Sequence, residues 1–134
     1  MKEAKMAQDI HLKVRKWDDV MALAYNMYDA DEDYNKALHV AQSLIFEYPE
    51  QGVVYRMAGD MCMKMGDFHK AVFYYTRNNY FDQSRDSAEK LALAYLHLDS
   101  IPLAKRVLSE AKNKGLDVSE MSELQSKMTG EEKD

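Results

Sequence analysis

A single cysteine, Cys62, stands in this 134-residue chain, so no disulfide can form within it and a reducing compartment is the simplest setting. Two prolines, Pro49 and Pro102, and five glycines leave few positions that must break a helix. No apolar run approaches the roughly 20 residues a membrane-spanning helix needs, which excludes direct membrane insertion. The opening MKEAKMAQDIHLKVRKW carries charge throughout and has no apolar centre, so it is not read as a secretory signal. Basic excess is missing as well. A net charge of −5 and a pI near 5.4 argue against a nucleic-acid backbone as partner. No phosphate-binding loop, G-x-S-x-G turn or glycine-rich dinucleotide loop occurs, so no catalytic residue and no cofactor is expected. What remains is a 46% hydrophobic, 31% charged chain, the composition of a soluble, cytoplasmic, helical protein with one real core.

The chain does contain a repeat. Ala37, Ala71 and Ala104 stand 34 and 33 residues apart, each three residues after a bulky one, in Tyr34-x-x-Ala37, Phe68-x-x-Ala71 and Ile101-x-x-Ala104. Nine residues before each alanine sit Tyr28, Cys62 and Tyr95. Four earlier are Ala24, Ala58 and Leu91, followed by a slot held by Tyr25, Gly59 and Ala92. Four residues after each alanine come Ala41, Tyr75 and Leu108. Small residues such as Gly59 and Ala71 let two helix backbones approach, Gly66 ends a helix in a conformation other residues resist, and Pro49 stops the helix before it.

This layout resembles the tetratricopeptide repeat family over about residues 18–118. The fold the resemblance implies is all-α: a right-handed solenoid of three helical hairpins with an N-terminal helix and a C-terminal capping helix. The expected boundaries are an N-terminal helix in 1–17 and repeats at 18–51, 52–84 and 85–118. A capping helix over 119–129 and a disordered tail at 130–134 follow. Within the repeats, helices are expected at about 19–30 with 34–47, 52–65 with 68–79, and 85–98 with 101–114. A cap is needed because the last repeat otherwise leaves an apolar face in water. Repeat one has Tyr25 in the small slot and Glu32 where glycine is usual, and repeat three has Asp99-Ser100 in place of Gly-Asp.

Chemical sites are weakly signalled. Asp29, Asp31 and Asp33 open like a calcium loop, but the glycine and glutamate such a loop needs at positions six and twelve are Tyr34 and Val40. An acidic turn is the better reading. The four histidines are scattered and Cys62 has no histidine near it in sequence, so no metal site is expected. The aromatic run FYYTRNNYF, residues 73–81, is assigned to core and inter-repeat packing, since base stacking would need a basic surround. Ten methionines are the least ordinary feature, with Met57, Met61, Met63 and Met65 on one helix. Met61 and Met65 lie one turn apart and suit the core, whereas Met57 and Met63 fall on other faces and suit either packing or a varied partner.

In the tetratricopeptide family the first helix of each pair lines a concave groove. The positions this implies as peptide contacts are Ala22, Asn26 and Asp29 in repeat one, and Val53, Arg56, Met57, Asp60 and Met63 in repeat two. In repeat three they are Glu89, Lys90, Leu93, Leu96 and His97. The clamp with which one subset grips a C-terminal carboxylate would fall on Ala22, Asn26, Met57, Asp86 and Lys90. Only Asn26 fits, and Asp86 would repel a carboxylate. A closer likeness is to the type III secretion chaperones that guard translocator proteins. It is carried by LAYNMYDADEDYNKALHVAQSLI (23–45) and RMAGDMCMKMGDFHKAVFYY (56–75). That resemblance implies a small, non-catalytic cytoplasmic chaperone holding an extended protein or peptide client in its groove, and it raises a homodimer through the N-terminal helix. The alternative is a repeat scaffold, a structural subunit of a larger complex.

Overall fold

The computed structural model describes residues 33–118, which form five α-helices and no strand. They are α1 (Tyr34–Glu47), α2 (Gly52–Lys64), α3 (Phe68–Asp82), α4 (Arg85–His97) and α5 (Ile101–Asn113). The N-terminal helix, the first helix of repeat one and the capping helix, with Ala22, Asn26 and Asp29, lie outside the described residues. Each described helix packs on the next in an unbroken series, α1 on α2, α2 on α3, α3 on α4 and α4 on α5. That order of contacts is what successive antiparallel hairpins produce when each unit covers its neighbour.

The starts and stops have local causes. Asp33, the last residue of the acidic turn, caps α1 by accepting from the Lys36 amide at 3.1 Å, and Asp67 caps α3 by accepting from Lys70 N–H at 3.3 Å. Ser84 and Ser87 form a reciprocal box at the start of α4, which satisfies two otherwise unpaired backbone donors. The expected ends hold to within a residue except at α3, which runs three residues beyond the expected Asn79 to Asp82. No glycine or proline stops it, and Gln83 ends it in the left-handed conformation at φ 50°. The extension has a use. Asn78 is fully buried, and with its amide nitrogen turned inward it donates to the Gly52 carbonyl at 3.1 Å and the Asp82 carboxylate at 3.0 Å. The far end of α3 is thereby tied to the start of α2.

Three helices close with the same turn. At Gly66 (φ 77°) and Gly115 (φ 87°) the glycine amide bonds the carbonyl three residues back, and the next amide reaches five back. Asp99 makes the identical turn without glycine: Asp99 N–H bonds Leu96 O, Ser100 N–H bonds Tyr95 O, and φ is 59°. The substituted Asp99-Ser100 therefore keeps the architecture at a conformational cost. Asp99→Gly is expected to stabilise the chain by about 0.5–1 kcal/mol, read as a higher urea midpoint at unchanged slope. A lower midpoint would refute the strain.

The repeat register is also the core register. Ala37, Ala71 and Ala104 are each completely buried, as are Ala58, Cys62 and Ala92, with Leu91, Ala41, Tyr75 and Leu108 beside them. Gly59 meets the expectation for a small slot closely. A Cβ placed on it would lie 2.4 Å from the Tyr75 ring, so the ring of α3 rests directly on the backbone of α2. Met61 is fully enclosed and Met65 packs partly buried against the same core.

The run from Phe73 to Phe81 departs from the expectation. Tyr75 and Asn78 are interior, but Phe73 and Tyr80 are exposed and Phe81 is at the edge of exposure. The correction has a geometric cause. At about 100° per residue, Ala71, Tyr75 and Asn78 share one face of α3, and Phe73 lies roughly 200° around from Tyr75. A continuous aromatic run on a helix must send some of its members outward.

Candidate functional site

The first helices of repeats two and three, α2 and α4, are joined by two ion pairs one helical turn apart. Arg56 Nη1 lies 2.6 Å from Asp86 Oδ2, and Lys90 Nζ lies 3.2 Å from Asp60 Oδ1. Both pairs span 30 residues in sequence. The four-residue step from Arg56 to Asp60 matches that from Asp86 to Lys90, so the helices run side by side with matched turns. Asp60 accepts a second bond from the Tyr75 hydroxyl of α3, and Lys90 Nζ stands 6.0 Å above the Tyr75 ring. Gly59 makes room for that ring and Asp60, the next residue, receives its hydroxyl. The Gly-Asp dipeptide thus positions Tyr75 at both ends.

Beyond this ladder a cleft of about 240 Å³ opens, lined by Asp60, Met63, Lys64, Tyr75, Lys90 and Leu93. Met63 is partly buried against the core and Leu93 is 36% exposed. The cleft therefore has a paired polar wall made by Asp60, Lys90 and Tyr75, and an apolar lip made by Met63 and Leu93. Charges already paired across the groove floor present little net field, so an apolar group entering the cleft gains from leaving water more than a charged one gains from attraction.

The residues expected at the groove divide clearly. Arg56, Asp60 and Lys90 are there but engaged with other groups of the chain, and Met63 and Leu93 face the cleft. Val53 and Glu89 are half-buried. Leu96 is buried. His97 is exposed and stacks on Phe68 with ring centres 4.5 Å apart, which ties the end of α4 to the start of α3. Met57 requires correction: it is wholly enclosed in the core, out of reach of any ligand. Its neighbours explain this, since Ala58 and Gly59 are too small to hold α3 away and leave a volume that the methionine fills. Tyr75 was missed as a lining residue. The signal was present, because a glycine in mid-helix calls for a large partner, and Tyr75 is the ring that the register places opposite it.

Among the described residues no group of three histidine, cysteine or acidic side chains is placed to hold a metal, and no helix is long and apolar enough to cross a membrane. Cys62 is fully enclosed; burial, with a smaller push from Asp67, raises its thiol from 9.0 to about 11, while Lys70 acts weakly the other way. A thiol held neutral is a poor nucleophile. The folded value lies above the unfolded one, so this group's stabilising contribution is complete below pH 9 and fades as the pH climbs towards 11. At pH 8 a soluble disulfide reagent is expected to label Cys62 only as fast as the chain unfolds. Rapid labelling of the native chain would contradict the burial.

Helical hairpins stacked in a common register, with alternate helices flooring a cleft, define a helical solenoid of the tetratricopeptide type. No family model and no curated protein matches the sequence. Solved structures do match. One is the type III secretion translocator chaperone SycD of Yersinia enterocolitica, 19% identical, with a TM-score of 0.70 over 88% of this chain and 81% of that one. Another is the same chaperone in complex with a peptide of the translocator YopD, also 19% identical, with a TM-score of 0.71 over 89% and 91% of the two chains. At that identity the likeness establishes the fold, and it extends over more than four-fifths of each chain compared.

Proposed function

We propose that this protein is a small, non-catalytic cytoplasmic chaperone that holds an extended, apolar segment of a secreted client, of the type III translocator kind, in the groove between α2 and α4. The observation that carries the reading is the pairing of Arg56 with Asp86 and of Asp60 with Lys90 beside the apolar lip at Met63 and Leu93. A floor with its charges satisfied internally suits a segment recognised by apolar side chains. The chaperone SycD, whose fold this chain shares, has been solved in complex with a peptide of the translocator YopD, which supports a client of that kind here.

The mechanism is passive. An extended strand of client lays one apolar side chain against Met63 and Leu93, and burying a leucine-sized group in this way is worth about 1.5–3 kcal/mol. Several such anchors are needed to offset the ordering of the segment. Membrane-seeking surface of the client is covered until export. No nucleotide enters the scheme.

Co-expression with candidate secreted clients, followed by affinity capture, tests the reading. Met63→Glu and Leu93→Glu are each expected to lower recovery of the client by about tenfold or more, since each places a charge in an apolar contact. Capture undiminished in both variants would remove the groove from the mechanism.

A further inference from the structure

Four thioethers and the one thiol of the chain crowd residues 57–65, the later part of α2 and its cap. Met57, Met61 and Cys62 have no exposed surface. Met63 is half-buried and lines the cleft between α2 and α4. Met65 is half-buried as well but takes no part in that lining. Helix geometry gives the reason. Met65 comes one turn after Met61 and falls about 40° from it, on the core side, whereas Met63 falls about 200° from Met61, on the other face. The packing therefore sorts five sulfur atoms by access, and the one it presents to the cleft belongs to the apolar lip.

Access and protonation decide which sulfur a small oxidant attacks. A thiol reacts through its thiolate, and Cys62 is both enclosed and held protonated by its burial well above neutral pH, so it does not compete. A thioether has no proton to lose, and its lone pair is open to any oxidant that reaches it. With hydrogen peroxide, the sulfur lone pair attacks one peroxide oxygen: an S–O bond forms and the O–O bond breaks. The departing hydroxide takes the proton left on the sulfur-bound oxygen and becomes water. Sulfur loses two electrons, and the peroxide gains them.

We propose that Met63 is a modification site of this protein, oxidised by peroxide to the sulfoxide while Met57 and Met61 are spared, and that the sulfoxide loosens the hold of the cleft on an apolar segment. The consequence for binding rests on the function proposed above; the position of the oxidation does not. A sulfoxide oxygen puts a strong hydrogen-bond acceptor where the lip was apolar, and its water must be stripped before an apolar side chain can lie against it. Because reductases return the sulfoxide to the thioether, the modification is a release that can be reset.

Brief treatment of the full chain with dilute hydrogen peroxide at neutral pH, quenched and mapped by tryptic mass spectrometry, tests this. Cleavage after Arg56 and Lys64 isolates residues 57–64 and puts Met65 in a separate peptide. Within 57–64, Met63 is expected to gain an oxygen at least about tenfold faster than Met57 or Met61, as located by fragmentation. After treatment, capture of the client found by co-expression should fall by about threefold or more and return with methionine sulfoxide reductase. Met63→Leu, which keeps volume and apolarity, should capture the client normally and hold it through the same treatment, whereas Met65→Leu should lose it as the parent does. The proposal is overturned if Met57, Met61 or Cys62 gains oxygen as fast as Met63, if full oxidation at Met63 leaves capture unchanged, or if Met63→Leu is as sensitive as the parent. A chain that captures no client before treatment would count against the proposed function, and the oxidation map would still decide the site.

Discussion

Gly59→Leu is expected to lower the stability of the chain by about 3 kcal/mol or more, enough to move the thermal midpoint down by roughly 10 °C. Even one carbon at this position would sit 2.4 Å from the Tyr75 ring. The ring cannot swing aside cheaply, for it is 98% buried (2% exposed) and its hydroxyl is bonded to Asp60. Helix propensity works the other way, favouring leucine over glycine by somewhat less than 1 kcal/mol, and is too small to decide the sign. Because the cost arises at one contact, it should not add to that of Tyr75→Ala. The double variant should recover about 1–3 kcal/mol relative to the sum of the singles. Urea unfolding followed by circular dichroism measures all three. A Gly59→Leu midpoint indistinguishable from the parent would mean that α2 and α3 are not this close.

The other repeats use the same slots with different volumes. Where repeat two pairs Gly59 with Tyr75, the corresponding positions in repeat three hold Ala92 and Leu108, both buried. A smaller side chain on the second helix goes with a larger one in the slot facing it. In repeat one the sequence has Tyr25 and Ala41 at the equivalent positions of the repeat.

The second large effect contrasts two methionines on one helix. Met57→Ala is expected to cost about 2–5 kcal/mol, because the side chain is fully enclosed and its removal leaves a cavity among rigid neighbours. Met63→Ala should cost about 1 kcal/mol or less, since that residue is only partly buried at the lip of the cleft. Client capture should rank them in reverse, with Met63→Ala impaired and any folded fraction of Met57→Ala binding normally. The pair therefore separates packing from recognition within a single turn and a half of α2. Equal stability losses would show that Met57 is not the core residue its enclosure makes it.

Much of this fold could be read from the sequence because its signals are local or strictly periodic. The 34- and 33-residue alanine spacing placed the helix pairs and Gly66 marked one of the stops, while the aspartate and serine caps that the structure shows at the starts are signals of the same local kind. Each depends on a few neighbouring residues or on an exact return of register. Asp99 shows the limit of that legibility, since a residue with a side chain adopts the glycine turn only because the packed helices on either side hold it there.

The site was legible only in outline. Position along a repeat indicated that Arg56, Asp60, Met63, Lys90 and Leu93 face the groove, but not that three of them are engaged across it. Ion pairing between residues 30 apart depends on the rotation of α4 against α2, which no local spacing encodes. Met57 was misplaced for the related reason that one residue of helical phase separates groove from core. Two small neighbours let α3 come close enough to shift that boundary.

By itself the sequence determined the repeat, its period, the absence of any disulfide within the chain and the small slots that require close helices, since each follows from residue size or order along the chain. Only the tertiary structure decided which of those side chains meet across helices, which methionine is enclosed and which aromatics of residues 73–81 look outward. Those outcomes depend on helix rotation and separation, and these are set jointly by every residue of the interface.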